Sequence, residues 1–208
     1  MKTPLLPLRD WLRGGLLAAF LHVIGTLLID YGGWKLGFAY KIMAGQFFLL
    51  AGAVWFVIVL VLVLTRLRKI GQLDPLRTIL WVLGVAVLSA PLKAIGEHAM
   101  YPLLKEAYDA YPERRAAEVR AYLRSQQQSG KAEFSSEKIE EIVTMQIRLF
   151  EEYRRRQENL WLTMIDRLKV LGIMGLIYGL ILGLLLRGGG IGPAPGAGRS
   201  AANEGNAG

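Results

Sequence analysis

The sequence predicts an all-α integral membrane protein: a four-helix bundle with an extramembrane helical hairpin inserted between helices 3 and 4. Three observations predict it. Apolar stretches cover about 14–29, 46–65, 78–95 and 168–186. Each is near the ~17–25 residues a helix needs to cross a hydrocarbon core of about 30 Å. Charged residues make up 20% of the chain against 53% hydrophobic, and they avoid these stretches almost completely. A water-soluble protein would spread them over every helix. The intervening segment, about 97–166, is charged yet carries apolar residues at helical spacing. Backbone amides in hydrocarbon must be satisfied within their own segment, so the four stretches are spanning helices rather than loops or open strands. Residues 1–187 then form a single membrane domain, and 188–208, built of Gly, Ala, Pro, Ser and Asn, a disordered tail.

The first helix follows a basic arm (Lys2, Arg9, Arg13) and runs into Asp30-Tyr31-Gly32-Gly33-Trp34, with no small-residue cleavage pattern. It is expected to be a retained signal anchor. Gly15, Ala18, Ala19, His22, Gly25 and Thr26 share one of its faces, which places His22 toward the bundle. The second helix ends in the basic loop Thr65-Arg66-Leu67-Arg68-Lys69. The third is rich in small residues and ends in Ser89-Ala90-Pro91-Leu92-Lys93-Ala94-Ile95-Gly96-Glu97-His98, where Pro91 is expected to bend it. Lys93 and Glu97 are one helical turn apart and can pair, and Lys93 lies close enough to the span end to reach the headgroups.

In the insert, Pro112 is read as the start of a first arm, Glu113–Gln128, with Ala116, Val119 and Leu123 on one face. Ser129-Gly130 breaks it. Ser135-Ser136 caps a second arm whose Glu137 suits the helix dipole. That arm carries an apolar stripe of Ile139, Val143, Ile147 and Phe150, continued by Leu160, Trp161, Met164 and Ile165. With no Gly or Pro from Glu137 to Val170, it is expected to run unbroken into the fourth span, about 75 Å to Leu186 at 1.5 Å per residue. The stripe needs a partner: the first arm, a second copy of the chain, or another subunit. In the fourth helix Gly175, Gly179 and Gly183 repeat every four residues, with Gly172 close before them. A face this bare is expected to receive another helix. The candidate is the first helix, through Gly15 and Ala19, with self-association of two copies as the rival.

The net charge of +8 and the pI near 9.8 come from basic residues beside the spans rather than from one basic face interleaved with aromatics. No nucleic acid is expected as a partner. Lys and Arg in the short loops place the N- and C-termini in the cytoplasm and the insert outside. The fourth helix, preceded by Arg154, Arg155, Arg156, Arg167 and Lys169 and followed by Arg187, locally favours the opposite orientation. Cysteine is absent, which excludes disulfides and thiol chemistry. Trp11, Trp34, Tyr40, Trp81, Tyr101 and Trp161 near span ends are read as interface anchors.

Catalytic signatures are missing: no nucleophile elbow, zinc-protease motif, phosphate loop or dinucleotide fingerprint occurs. The candidate intramembrane or interfacial polar residues are His22, Lys93, Glu97 and His98. His22 is expected to be a neutral imidazole hydrogen-bonded to a neighbouring helix, the alternative being a proton relay. The two histidines are not expected to share a metal, and no catalytic site or cofactor is expected.

The order of parts is a lone helix, a second helix ending in a basic loop and a small-residue third helix. A hairpin insert follows (Arg120 to Arg156, centred on Ser-Gly and Ser-Ser-Glu-Lys-Ile-Glu-Glu), then a Gly-repeating last helix. Over about residues 10–187 it resembles domain-of-unknown-function family 4199, small bacterial membrane proteins found largely in the Bacteroidetes and relatives. The resemblance implies a four-helix bundle in the bacterial inner membrane and carries over no activity, ligand or functional residue. The expectation for function is a non-catalytic accessory or scaffold subunit. Its partners would be the lipid bilayer and a protein, or a second copy, bound through the insert and the Gly face of helix 4. The alternative is a small transporter or channel component using the polar residues of helices 1 and 3.

Overall fold

The computed structural model describes residues 7–70, 74–130 and 134–188, which form five α-helices and, among the described residues, no strand. They are α1 (Leu8–Lys35), α2 (Ile42–Ile70), α3 (Pro75–Gln128), α4 (Ser136–Gln157) and α5 (Leu160–Gly188). Four of them, all but α4, contain a stretch long and apolar enough to cross a membrane. Their exposed sides are Leu16, Leu17, Phe20, Ile58, Leu62, Leu88, Ile173, Ile177, Leu180 and Leu184. Their buried sides include Ala18, Ala19, Thr26, Thr78, Ser89 and Ala90. Large apolar groups cover the outside, while small and polar groups sit inside beside Phe56, Leu60 and Trp81; an outer surface this apolar suits lipid and not water. The proposed tail, apart from Gly188 at the end of α5, lies outside the described residues.

α3 is the spine, about 80 Å long at 1.5 Å per residue, and α1, α4 and α5 all pack along it. Asp74 starts it, accepting from the Arg77 amide at 2.8 Å, with Pro75 in the first turn. It passes through Pro91, Pro102 and Pro112 without interruption, so Pro112 does not open a separate arm. A mid-helix proline costs about 3 kcal/mol, an amount that packing on α4 and α5 along the whole helix offsets. The apolar first half and the polar second half of α3 are therefore one continuous rod.

The returning arm is broken where continuity was expected. α4 ends at Gln157 and α5 begins at Leu160. Asn159 makes the restart local: its Oδ1 accepts from the Leu162 amide at 3.2 Å, a side-chain cap that needs neither glycine nor proline. Thr163 Oγ1 reaches back to the Arg156 carbonyl at 2.9 Å, and Arg156 pairs with Asp166 at 3.0 Å, tying the two helices across the break.

Along the polar half of α3, α4 lies antiparallel on it. Ser135 caps it, accepting from the Lys138 amide at 3.1 Å. Ile139 and Val143 are buried against Ala116, Val119 and Leu123, with Ile147 partly buried beside them. Phe150 joins a second cluster with Leu104 and Tyr108. The stripe's partner is thus the chain's own α3.

Along the apolar half, the bare face of α5 is filled by α3, not by α1. A Cβ added at Gly175 would stand 2.5 Å from Ala86 Cβ. One at Gly179 would stand 3.2 Å from the Ile79 carbonyl oxygen, and one at Gly183 3.1 Å from that of Pro75. Gly172 lies off this contact, with nothing within 4 Å of its missing Cβ. The small face of α1 has different partners: Gly14 receives Leu67, Gly15 receives the indole of Trp81, and Ala18 and Ala19 are fully buried in the same core. Trp81, with only 1% of its surface exposed, donates from Nε1 to the Trp11 carbonyl at 3.2 Å; it is a core residue rather than an interface anchor. Trp161, 71% exposed, stays on the surface.

Gly179→Leu should separate α5 from the α3 backbone and lower stability by about 1–3 kcal/mol, the usual cost of overpacking. Leu180→Ala, which changes a side chain on the outer surface, should leave the thermal midpoint in detergent nearly unchanged. Equal midpoints for the two variants would refute the glycine contact.

Candidate functional site

Four charged side chains meet where the apolar stretches of three helices end. Asp30 stands near the end of α1, Lys93 and Glu97 lie one turn apart on α3, and Arg167 is in the second turn of α5. Lys93 Nζ is 3.1 Å from Asp30 and 3.7 Å from Glu97, while Arg167 Nε lies 2.7 Å from the other Glu97 oxygen. The Glu97 side chain is 9% exposed. Lys93 therefore pairs more closely across helices than along its own, and its side chain, 14% exposed, is held within the protein rather than reaching for headgroups. Two cations and two carboxylates cancel, which is what permits such burial.

Above this cluster lies a cavity of about 440 Å³ lined by the end of α1, the first loop, the start of α2, the middle of α3 and residues of α4 and α5. The first loop is shaped by Gly37, whose φ of +73° favours glycine and whose missing side chain leaves room for the Tyr40 ring. The cavity wall is aromatic. Trp34 meets Tyr108 edge-on at 4.4 Å, and Tyr111 stacks on Phe150 at 3.9 Å. Trp34 is thus packed inward, and Tyr101, stacked on Tyr108 at 5.4 Å, joins the same cluster. Burial pushes the Tyr153 hydroxyl up to about 12 and Tyr108 upward as well, so both phenols stay neutral hydrogen-bonding groups at physiological pH.

Arg115 forms part of the same wall. Its Nη1 donates to the Tyr40 carbonyl at 3.1 Å and its Nη2 to Gln146 Oε1 at 3.2 Å. Its Nε is buried with no acceptor among the described residues. Such a setting of aromatic surface and a few convergent polar groups suits recognition of a small molecule.

The other sequence candidates lie apart from this cavity. His22 is 2% exposed and packs on Phe56 with ring centroids 4.4 Å apart. Neither of its ring nitrogens has a hydrogen-bond partner among the described residues, where a bond to a neighbouring helix was expected. His98 lies at the α4–α5 junction, its Nδ1 3.4 Å from the Gln157 carbonyl. The two histidines are not brought together, and among the described residues no three potential metal-ligating side chains cluster. Sequence reasoning missed Asp30, Arg115 and Arg167. Asp30 and Arg167 bound apolar stretches, a signal available in the sequence, but Asp30 was read only as part of the segment after a signal anchor and Arg167 only as an orientation charge; Arg115 is one of many charges on a polar helix and carries no such mark.

No family model, curated protein or solved structure matches the chain.

Glu97→Gln leaves Arg167 without its closest carboxylate and should destabilise the protein by about 3 kcal/mol, as breaking a buried pair does. Arg167→Gln should do the same. The double variant should lose at least about 1 kcal/mol less than the two single losses together, because the partners share one interaction. Additive losses in detergent thermal melts would show that the pair is not coupled.

Proposed function

We propose that this chain is a non-catalytic accessory or scaffold protein of the bacterial inner membrane, with N- and C-termini in the cytoplasm and the 97–166 segment in the periplasm as a rigid helical hairpin. One observation supports the reading above others: α3 runs unbroken from the membrane half into the hairpin, where α4 buries its apolar stripe on it. The arm is also tied down by charge, with Arg154 at 2.7 Å from Asp109 and Arg120 at 2.7 Å from Glu140. The first loop lies against the hairpin, since Tyr40 receives Arg114 at 3.0 Å, so both belong to the same side of the membrane. That agrees with four spans, and the Lys and Arg of the short loops support putting that side outside. The family resemblance supplies the bacterial setting.

With the stripe consumed, the surface left for a partner is the outer face of α4, where Met145 and Leu149 are more than half exposed among Arg148, Glu151 and Glu152. A photo-reactive residue at position 149 should crosslink in native membranes to one stoichiometric protein or to a second copy. Absence of either product would sink the scaffold reading. The transporter alternative has one observation in its favour, the buried imidazole of His22, which has no hydrogen-bond partner among the described residues.

For topology, a reporter active only outside the cytoplasm and fused after Ser129 should be active, and one fused after Arg68 inactive. The reverse pattern would invert the proposed orientation.

A further inference from the structure

We propose that the cavity beside the first loop binds an acidic amphiphile, a molecule with a phosphate or carboxylate head on an apolar body, with Arg115 and Lys41 supplying the charge. At about 440 Å³, the space is within the ~300–1,000 Å³ typical of small-molecule sites. Its two lining carboxylates are already occupied, Asp30 by Lys93 and Glu97 by Arg167. The remaining lining cations, Arg115 and Lys41, pair with no carboxylate among the described residues. Lys41 stands 6.0 Å from the centroid of the Phe38 ring. Arg115 donates only to neutral oxygens and keeps one buried N–H unused. A partly buried guanidinium without a carboxylate partner, with the exposed Lys41 beside it, is stabilised by an anion, and the guanidinium fork matches a phosphate or carboxylate. Trp34, Phe48, Leu104 and Tyr111 on the remaining walls suit hydrocarbon rather than a free inorganic ion.

The site also lies where Asp30, Lys93 and Arg167 close the apolar stretches. In the proposed membrane placement this is the hydrocarbon–water boundary, the level at which an amphiphile carries its own change of polarity. The inference rests on the membrane placement and not on any partner of the hairpin. Loss of ligand binding with crosslinking at position 149 intact would remove this site alone.

The test uses the full chain in a non-ionic maltoside detergent, titrated by native mass spectrometry. The probes are phosphatidylglycerol, phosphatidylcholine of the same chain length, dodecyl phosphate and inorganic phosphate. One phosphatidylglycerol should bind in preference to phosphatidylcholine. Arg115→Gln and Lys41→Gln should each weaken it by about fivefold, the effect of one cation near an anionic headgroup. Arg148→Gln, on the outer face of α4, should not. Dodecyl phosphate binding as well as phosphatidylglycerol identifies a free amphiphile as the ligand; phosphatidylglycerol binding alone identifies a lipid. Either supports the site. Should Arg115→Gln fail to fold, Lys41→Gln, an exposed loop substitution, decides. Equal binding of the two lipids, displacement by inorganic phosphate as effective as by dodecyl phosphate, or unchanged binding in every folded variant would overturn the proposal.

Discussion

The backbone of α5 lies against that of α3 at Gly179 and Gly183, and this contact sets the register for the rest of the molecule. With no side chain between them, the two helices cannot slide without a residue such as Ile79 colliding with a larger neighbour. In lipid, where apolar surface gains nothing by leaving its surroundings, close approach is the main source of attraction. The same register that sets Gly175 on Ala86 sets Arg167 on Glu97. Beyond the break at Glu158 and Asn159 it sets Arg154 on Asp109 and Glu140 on Arg120. One antiparallel pairing therefore extends from the end of α5 to the tip of the hairpin.

In the proposed membrane placement that pairing crosses a change of medium, and its chemistry changes with it. In hydrocarbon the arms meet through glycine and alanine. At the boundary they meet through ion pairs, strengthened by reduced access to water and tolerated because the charges cancel. Outside, where apolar surface is expelled from water, Ile139, Val143 and Phe150 supply the adhesion. The break at the α4–α5 junction falls between the second and third regimes, beside Arg167, so the returning arm is redirected near the polar cluster rather than within either packed half.

Much of the architecture was legible from residues. Ser135 was identifiable as a cap because a hydroxyl before an acidic turn satisfies free amides, and the stripe on α4 was legible from its period. Pro112 misled, because proline disfavours helix interiors locally while packing over many turns can outweigh it. Asn159 was overlooked because a side-chain cap ends and restarts a helix without a conspicuous breaker. The ion-pair cluster was half visible: Lys93 and Glu97 are sequence neighbours on one helix, whereas Asp30 and Arg167 are distant in the chain and join them only in the fold. Arg115 had nothing in its surroundings in sequence to distinguish it from its neighbours.

By itself, the sequence determined the all-helical class and the apolar character of each segment, because hydropathy and helical period are properties of neighbouring residues. It also marked which faces were bare or apolar and hence needed covering. Which helix covers each face was decided only by the tertiary structure. A glycine face has no side chain to specify its partner, so the sequence pointed to α1 or a second copy for α5, and only the bundle placed Ile79 and Ala86 of α3 against it. The cavity belongs to the same category: its charges come from α1, the first loop, α3 and α5, and their pairing, with two cations left over, exists only once those elements meet.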